Sequence, residues 1–408
     1  MKAFGRLGWE RSLAIGLLVA AIGTACGGGG GAAPALKPAE PAKPAEAKPA
    51  APAAQPPAAS QPAPAASQPA PAKPASEPAK PEAAKPAKPE AAKPAGPVLQ
   101  ALVGTTQSTS GHYTYFVGVS KVVNSKVPEV NMTVVETGAS VENTNRMIKG
   151  EFPFALINPD VAYRAYEGLE QWKDKAFKEI RTMWIYAASP TAYAVRADSN
   201  VKSVTDLNGK DFNPGMRGSA TESQTRKAME VLGVTPKYFV GGTEDAVAAI
   251  KDRRIAGMAK TFVGLSADAV ILDLQVATTI RILPFTKEQI AKIEQAAPWY
   301  GHMDIPANTF PKMDENKEPI LTLALVQGTH TTTQFSDDLT YKIVKALFED
   351  NKLKDQGIQG GAMPAVKDLD FEKTTIEQAK VPLHKGALKY FREIGTKVPD
   401  ALVPPEAK

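Results

Sequence analysis

Hydroxyl and amide side chains recur in this chain at one kind of place, the turn between an apolar run and a helix-like run. The first such turn is Gly104-Thr105-Thr106-Gln107-Ser108-Thr109-Ser110-Gly111, which leads into Tyr113–Lys126. The second is Glu136-Thr137-Gly138-Ala139-Ser140, and the third is Asn158-Pro159-Asp160. A fourth runs from Asn213 to Glu222 and carries Arg217 and Ser219. The first backbone N–H groups of a helix lack partners and the helix dipole is positive there, so such a turn favours an anionic or carbonyl group. Ser and Thr are also ordinary helix caps, and any one of these turns taken alone reads as a cap. Ser140, with Asn143 or Glu142, fits the cap of the helix it opens. No turn has the Gly-x-x-x-x-Gly-Lys or Gly-x-Gly-x-x-Gly pattern that would cradle a nucleotide.

Other residues with chemical potential are scattered. The four histidines, His112, His302, His330 and His384, do not pair with one another or with Cys at metal-ligand spacing. His112 lies in the first turn, either touching a ligand or standing half-exposed at a helix start; His384 reads as structural. Ser199-x-x-Lys202 fits a Ser–Lys nucleophile pattern that chance produces often, and it falls in a polar turn. Asp160 suits a base or a helix cap, with the cap favoured. Arg217 suits a bidentate fork for a carboxylate or a solvated surface charge. No acid–base pair emerges, so the expectation is a chain with no catalytic residues, no metal and no cofactor.

The elements that must position these turns alternate strand with helix. Val98–Val103, Met132–Val135 and Phe154–Ile157 read as strands, with helices Tyr113–Lys126, Val141–Lys149 and Val161–Tyr166 between and after them. Phe116, Val119, Val122 and Val123 fall on one face of the first helix. This alternation predicts an α/β fold with an open parallel sheet, whose ligands sit beyond the carboxyl ends of the strands, where the turns converge. That convergence turns the cap reading into a site reading. Ile180–Tyr186 and Tyr193–Arg196 read as two strands around Pro190, crossing into a second lobe. Ile255–Phe262 and Leu321–Val326 read as strands and Pro298–Pro311 as an irregular return.

The N-terminal quarter is of another kind. Lys2, Arg6 and Arg11, then the apolar run Leu13–Ile22 and small residues Gly23 to Ala25, have the order of a secretory signal peptide. The single cysteine, Cys26, follows at once, so the segment resembles a lipoprotein signal; ordinary secretion is the alternative. One cysteine permits no internal disulfide and no Cys-based zinc site. Residues 27–97 are almost entirely Ala, Pro, Gly, Lys, Glu, Ser and Gln, with Leu36 as the one large apolar side chain, and are expected to be a disordered, extended tether. The chain carries a net charge of +5. Two of these charges belong to the leader and three to the tether, so residues 98–408 are neutral and the basic balance is no nucleic-acid footprint.

In order along the folded part, the motifs resemble the solute-binding proteins of TRAP transporters, specifically the TAXI branch. The family's Gly-Thr-rich opening loop before a Tyr-containing helix corresponds to Gly104–Tyr115. Its Thr-Gly-Gly-Ser-Val-Glu-Asn corresponds to Thr137-Gly138-Ala139-Ser140-Val141-Glu142-Asn143, and its Gln-Ser-Asp-Val-Ala-Tyr to Asn158-Pro159-Asp160-Val161-Ala162-Tyr163. Val195–Lys210, Ile305–Pro311 and Val381–Ala387 follow in the family's order. The chain departs at Gln107 and Ser108, at Asn158 and at Arg217.

The resemblance implies a two-lobed class II periplasmic-binding-protein fold with a hinge and no catalysis. The expected divisions are a signal peptide at 1–25, a lipidated Cys26 and tether at 26–97, lobe 1 at 98–188, lobe 2 at 189–300, and a return completing lobe 1 at 301–408. The expected partners are a small polar, carboxylate-bearing solute, TRAP membrane permease subunits and a membrane held through the lipid anchor, with no nucleic acid. The expected place is extracytoplasmic, in the periplasm or at the cell surface. Thr106, Gln107, Ser108, Thr109, Ser110, Tyr113, Ser140, Asn158, Arg217 and Ser219 are the candidate ligand contacts, with Tyr186 and Phe262 as apolar walls. The alternative is an anchored sensor or scaffold lipoprotein on the same fold.

Overall fold

The structure, a computed structural model, describes residues 97–310 and 312–408. The leader, Cys26 with its expected lipidation, and the tether lie outside the described residues. Among the described residues no helix is long and apolar enough to cross a membrane.

Strands and helices alternate. The chain opens with β1 (Leu99–Gly104), α1 (Gly111–Lys126), β2 (Val130–Val135), α2 (Ser140–Ile148), β3 (Phe154–Leu156) and α3 (Pro159–Glu167). The long strand β4 (Ile180–Arg196) leads to β5 (Asp211–Asn213), α4 (Ala220–Leu232), β6 (Lys237–Tyr238), α5 (Thr243–Lys251) and β7 (Gly257–Thr261). Then come α6 (Ala269–Ala277), β8 (Ile280–Ile282), α7 (Lys287–Ala296), β9 (Gly301–Ile305) and the second long strand, β10 (Ile320–Thr332). The chain finishes with α8 (Asp337–Lys352), α9 (Ile358–Ala362), α10 (Phe371–Gln378) and α11 (Lys385–Glu393).

The sheet order is β2-β1-β3-β10-β4-β7-β5-β6, with β8 on β4 and β9 on β10. β1 pairs in parallel with β2 and β3, and β5 in parallel with β6 and β7. β4 and β10 run antiparallel to each other, to β3 and β7, and to β8 and β9. The fold is therefore a mixed α/β sheet covered by helices, not the all-parallel sheet that the strand–helix alternation predicts. The difference lies in β4 and β10, which carry the chain from the first half of the sheet to the second and back. Each spans both halves.

The expected break at Pro190 is absent. Pro190 sits inside β4 opposite Ala324 of β10, and its carbonyl still accepts from the Phe262 N–H at 3.0 Å. A proline lacks the donor but keeps the acceptor, so the strand continues. The segment expected to be an irregular return contains β9, held by five register pairs on β10.

Each half has its own apolar core. Phe116, Val119, Val122 and Val123 of α1 are buried with Trp184, Tyr186 and Phe348 in the first half, as the helical spacing predicts. Met229, Phe212, Phe285 and Ile293 pack in the second. Each fully buried side chain of this size contributes about 1.5–3 kcal/mol.

Candidate ligand-binding site

The turns after the parallel strands meet in one cleft between the halves. Thr106, Gln107, Thr109, Ser110, His112, Ala139, Ser140 and Asn158 line it from the first half. Met216, Ser219, Thr221, Thr243, Lys260, Thr261 and Val270 line it from the second, and Leu325 and Gln327 of β10 lie between. The free volume is about 90 Å³. At roughly 10–15 Å³ per water centre, this is room for about six to nine waters, the size of a small metabolite.

Buried Asn143 of α2 fixes the turns of the first half. Its Nδ2 donates to the carbonyls of Thr105 and Leu156, both at 2.8 Å, and its Oδ1 accepts from the Thr137 hydroxyl at 2.7 Å. One side chain thereby ties the carboxyl ends of β1, β2 and β3. It does not cap α2, and neither does Ser140: the N-cap is Ala139, with no side-chain cap bond. Ala139 has φ 71° and ψ −150°, a region that glycine occupies freely and that costs other residues on the order of 1–3 kcal/mol. Strain is thus stored at the cleft wall.

Ser140 is fully buried and faces Asn158. Its Oγ accepts from the Asn158 N–H at 3.1 Å and donates to Asn158 Oδ1 at 2.6 Å. The hydroxyl is buried away from water, so its proton needs an acceptor, and the amide oxygen supplies it. That leaves the Asn158 Nδ2 group as the outward end of the side chain, and among the described residues it has no partner.

His112, at the start of α1, is clamped. Its Nε2 lies 3.2 Å from the Phe262 carbonyl and its Nδ1 3.4 Å from the Tyr186 hydroxyl. The carbonyl can only accept, so the proton is on Nε2. Burial first, and nearby Lys260 second, push the ring down to about 4, so it is neutral at physiological pH. Lys260 is the cation of the cleft wall; its Nζ donates to Asp268 at 3.0 Å and to the Thr261 carbonyl at 2.9 Å. Beside it, Thr221, Thr261 and Thr191 form a line of hydroxyls at 2.8 Å spacing.

Backbone and side chain also bond across the cleft. The Gly218 carbonyl, in the second half, accepts from Val141 N–H at 3.0 Å and Glu142 N–H at 3.3 Å, the first turn of α2. Gln107, in the first half, accepts through Oε1 from the Thr243 N–H that opens α5, at 3.1 Å. Each half therefore supplies an acceptor to a helix start of the other.

Of the sequence-predicted residues, Thr106, Gln107, Thr109, Ser110, Ser140, Asn158 and Ser219 come together at the cleft. Ser219 also caps α4 through the Glu222 N–H. Ser108 and Arg217 are exposed, and neither they nor Tyr113 line the cleft. Tyr186 and Phe262 are wholly buried and act as the supports of His112, not as walls. Asp160 is not the cap of α3, whose N-cap is Asn158; its carboxylate pairs with buried Arg164 at 3.0 Å. His384 caps α11, the structural role expected of it. Lys260, Thr261, Thr243 and Thr221 are additions. A signal for the first two existed, since they close β7 at its carboxyl end, where ligands of such sheets bind.

The model of a family described as NMT1-like matches residues 103–395. Among solved structures, a protein described as XAC2383 from Xanthomonas citri, bound to chloride ion, is 11% identical, with 72% of this chain and 99% of that one covered and a TM-score of 0.43. The alkanesulfonate-binding protein SsuA from Xanthomonas axonopodis pv. citri, bound to MOPS, is 14% identical over 77% and 99%, with a TM-score of 0.43. A ligand-binding component of an ABC-type import system from Staphylococcus aureus, with zinc bound, is 10% identical over 76% and 97%, with a TM-score of 0.42.

Proposed function

We propose, on the premise that this chain belongs to the NMT1-like family, that it is an extracytoplasmic solute-binding protein. Two lobes, meeting along β4 and β10, close on a small polar, carboxylate-bearing solute and present it to a membrane importer. The importer is of the TRAP type, as the motif order suggests, and Cys26 is the lipid-modified residue that holds the protein at the membrane surface. The binding residues are Thr106, Gln107, Thr109, Ser110, Ser140, Asn158 and Ser219, joined by Lys260 and Thr221.

One observation carries this reading: a cleft of metabolite size whose walls come from both halves, with helix starts and hydroxyls facing each other across it. Among the described residues two long strands, β4 and β10, carry the chain between those halves, which suits opening and closing about them. Helix starts and the Lys260 ammonium favour an anionic group.

A thermal-shift screen of the full chain against organic acids, amino acids and sugars tests it. A ligand at 100 times its dissociation constant stabilises by about 2.7 kcal/mol, a visible shift. Hits confined to carboxylates are expected, and a flat screen would remove the reading.

A further inference from the structure

We infer that Asn158 is the specificity residue of the cleft and Ser140 its positioning residue. Together they require the solute to place a hydrogen-bond acceptor against the first half, while Lys260, ion-paired with Asp268, offers its remaining N–H as a charged donor. The inference rests on the solute-binding reading above and deepens it.

The orientation of the Asn158 amide follows from bonding logic. The Ser140 hydroxyl has one proton and two lone pairs, and the Asn158 N–H takes one of the lone pairs. The buried proton needs an acceptor, and in the 2.6 Å contact it donates to the amide oxygen Oδ1, which can only accept. A flipped amide would turn its NH2 to the second lone pair and leave the Ser140 proton, in a fully buried residue, without its acceptor Oδ1. Ser140 sits at the first position of α2, fully buried, so it holds this geometry independently of any ligand. The two N–H bonds of Nδ2 remain, on a residue that lines the cleft. Asn158 is the N-cap of α3, yet its side chain makes no cap bond, so the amide is not required there for the helix.

Two neighbouring side chains of the cleft are already engaged. His112 is held at both nitrogens, and the Gln107 oxygen is on Thr243. The Lys260 ammonium has three N–H bonds, of which Asp268 and the Thr261 carbonyl take two. One wall thus offers a neutral, pre-oriented donor pair and the other a charged donor. A carboxylate or a keto acid satisfies both. An ammonium group facing the same donors would meet only like-directed N–H bonds.

The test uses the full chain with calorimetry on a fixed probe set. Pyruvate, succinate and L-glutamate are the acceptor probes; ethanolamine and putrescine are the cationic ones. The unchanged chain should bind at least one acceptor probe and neither cation. Asn158→Asp keeps the size and the Ser140 bond, and adds an acid at a helix start where it is tolerated. It should weaken the bound acceptor probe by roughly 10- to 100-fold, the range for a hydrogen bond to a charged group. Ser140→Ala should weaken the same probe by roughly 3- to 10-fold and narrow its preference over the cations, which a merely structural role would not do. Binding of cations by the unchanged chain, or acceptor affinity unchanged within twofold in Asn158→Asp, overturns this inference and leaves the solute-binding reading standing. No binding by any probe, with a flat wider screen, overturns both.

Discussion

At the scale of single residues, the cleft is held by buried polar groups that bond to backbone. Asn143 is the clearest case, because its amide donates to the carbonyls of both Thr105 and Leu156 at the ends of two strands. Asn143→Ala would leave the Thr105 and Leu156 carbonyls buried without that partner. The expected loss is about 2–4 kcal/mol in denaturant unfolding, on the scale of one or two unsatisfied buried groups; a loss below about 1 kcal/mol would show that the strand ends do not depend on it. This role was not legible in the sequence. Asn143 sits where a helix-capping residue is plausible, and its partners lie 38 and 13 positions away. Ala139 is a second case. The motif it resembles has glycine there, and the backbone still adopts a glycine conformation.

At the scale of elements, the start of α2 is capped by the other half of the molecule. With Ala139 at the N-cap, no side chain serves its first N–H groups, and the Gly218 carbonyl does. The start of α5 likewise depends on Gln107. These bonds exist only while the halves are together, so each favours the closed arrangement by about 1 kcal/mol. Gln107→Ala should therefore speed hydrogen exchange at Thr243 without affecting exchange at buried β4. Gly138→Ala should act more strongly. A Cβ on Gly138 would stand 2.6 Å from the Arg217 carbonyl of the second half, so the methyl obstructs closure. Exchange at Val141 and Glu142 should rise and solute affinity should fall; unchanged exchange at both positions would mean that the halves do not separate there.

At the scale of the whole molecule, histidines whose surroundings disfavour the charged ring link stability to pH, His112 and His330 most strongly and His384 in the same direction. Burial pushes His112 down to about 4 and His330 down to about 3. Neither nitrogen of His330 makes a well-formed hydrogen bond. In the unfolded chain each takes up a proton below about 6.5. Between that pH and the folded values the unfolded state binds more protons, so stability is complete above about 6.5 and declines as pH falls towards 3. The shifts correspond to about 3 kcal/mol for His112 and about 5 kcal/mol for His330. The melting temperature should be flat from pH 7 to 8 and fall steadily below 6.5. His330→Leu should make the acid limb shallower while costing less than about 1 kcal/mol at pH 7, since no good hydrogen bond is lost. An acid limb of unchanged slope would contradict it.

The sequence by itself determined what depends on neighbours along the chain. Apolar periodicity placed α1 and its buried face, the strand–turn–helix alternation placed the first three strands, and the hydroxyl-rich turns fell at helix starts. The neutrality of residues 98–408 is also a sum over sequence, with the surplus positive charge in the leader and tether segments. Only the tertiary structure decided strand direction, the continuity of β4 through Pro190, and which turn residues face the cleft. Strand direction depends on pairing across the sheet, as when Ala324 meets Pro190 more than a hundred residues earlier. Tyr186 and Phe262 read as cleft walls from their type alone. In the fold Tyr186 holds His112 through its hydroxyl and Phe262 does so through its backbone carbonyl while its ring packs on Phe310, because a side chain's role is set by its packing.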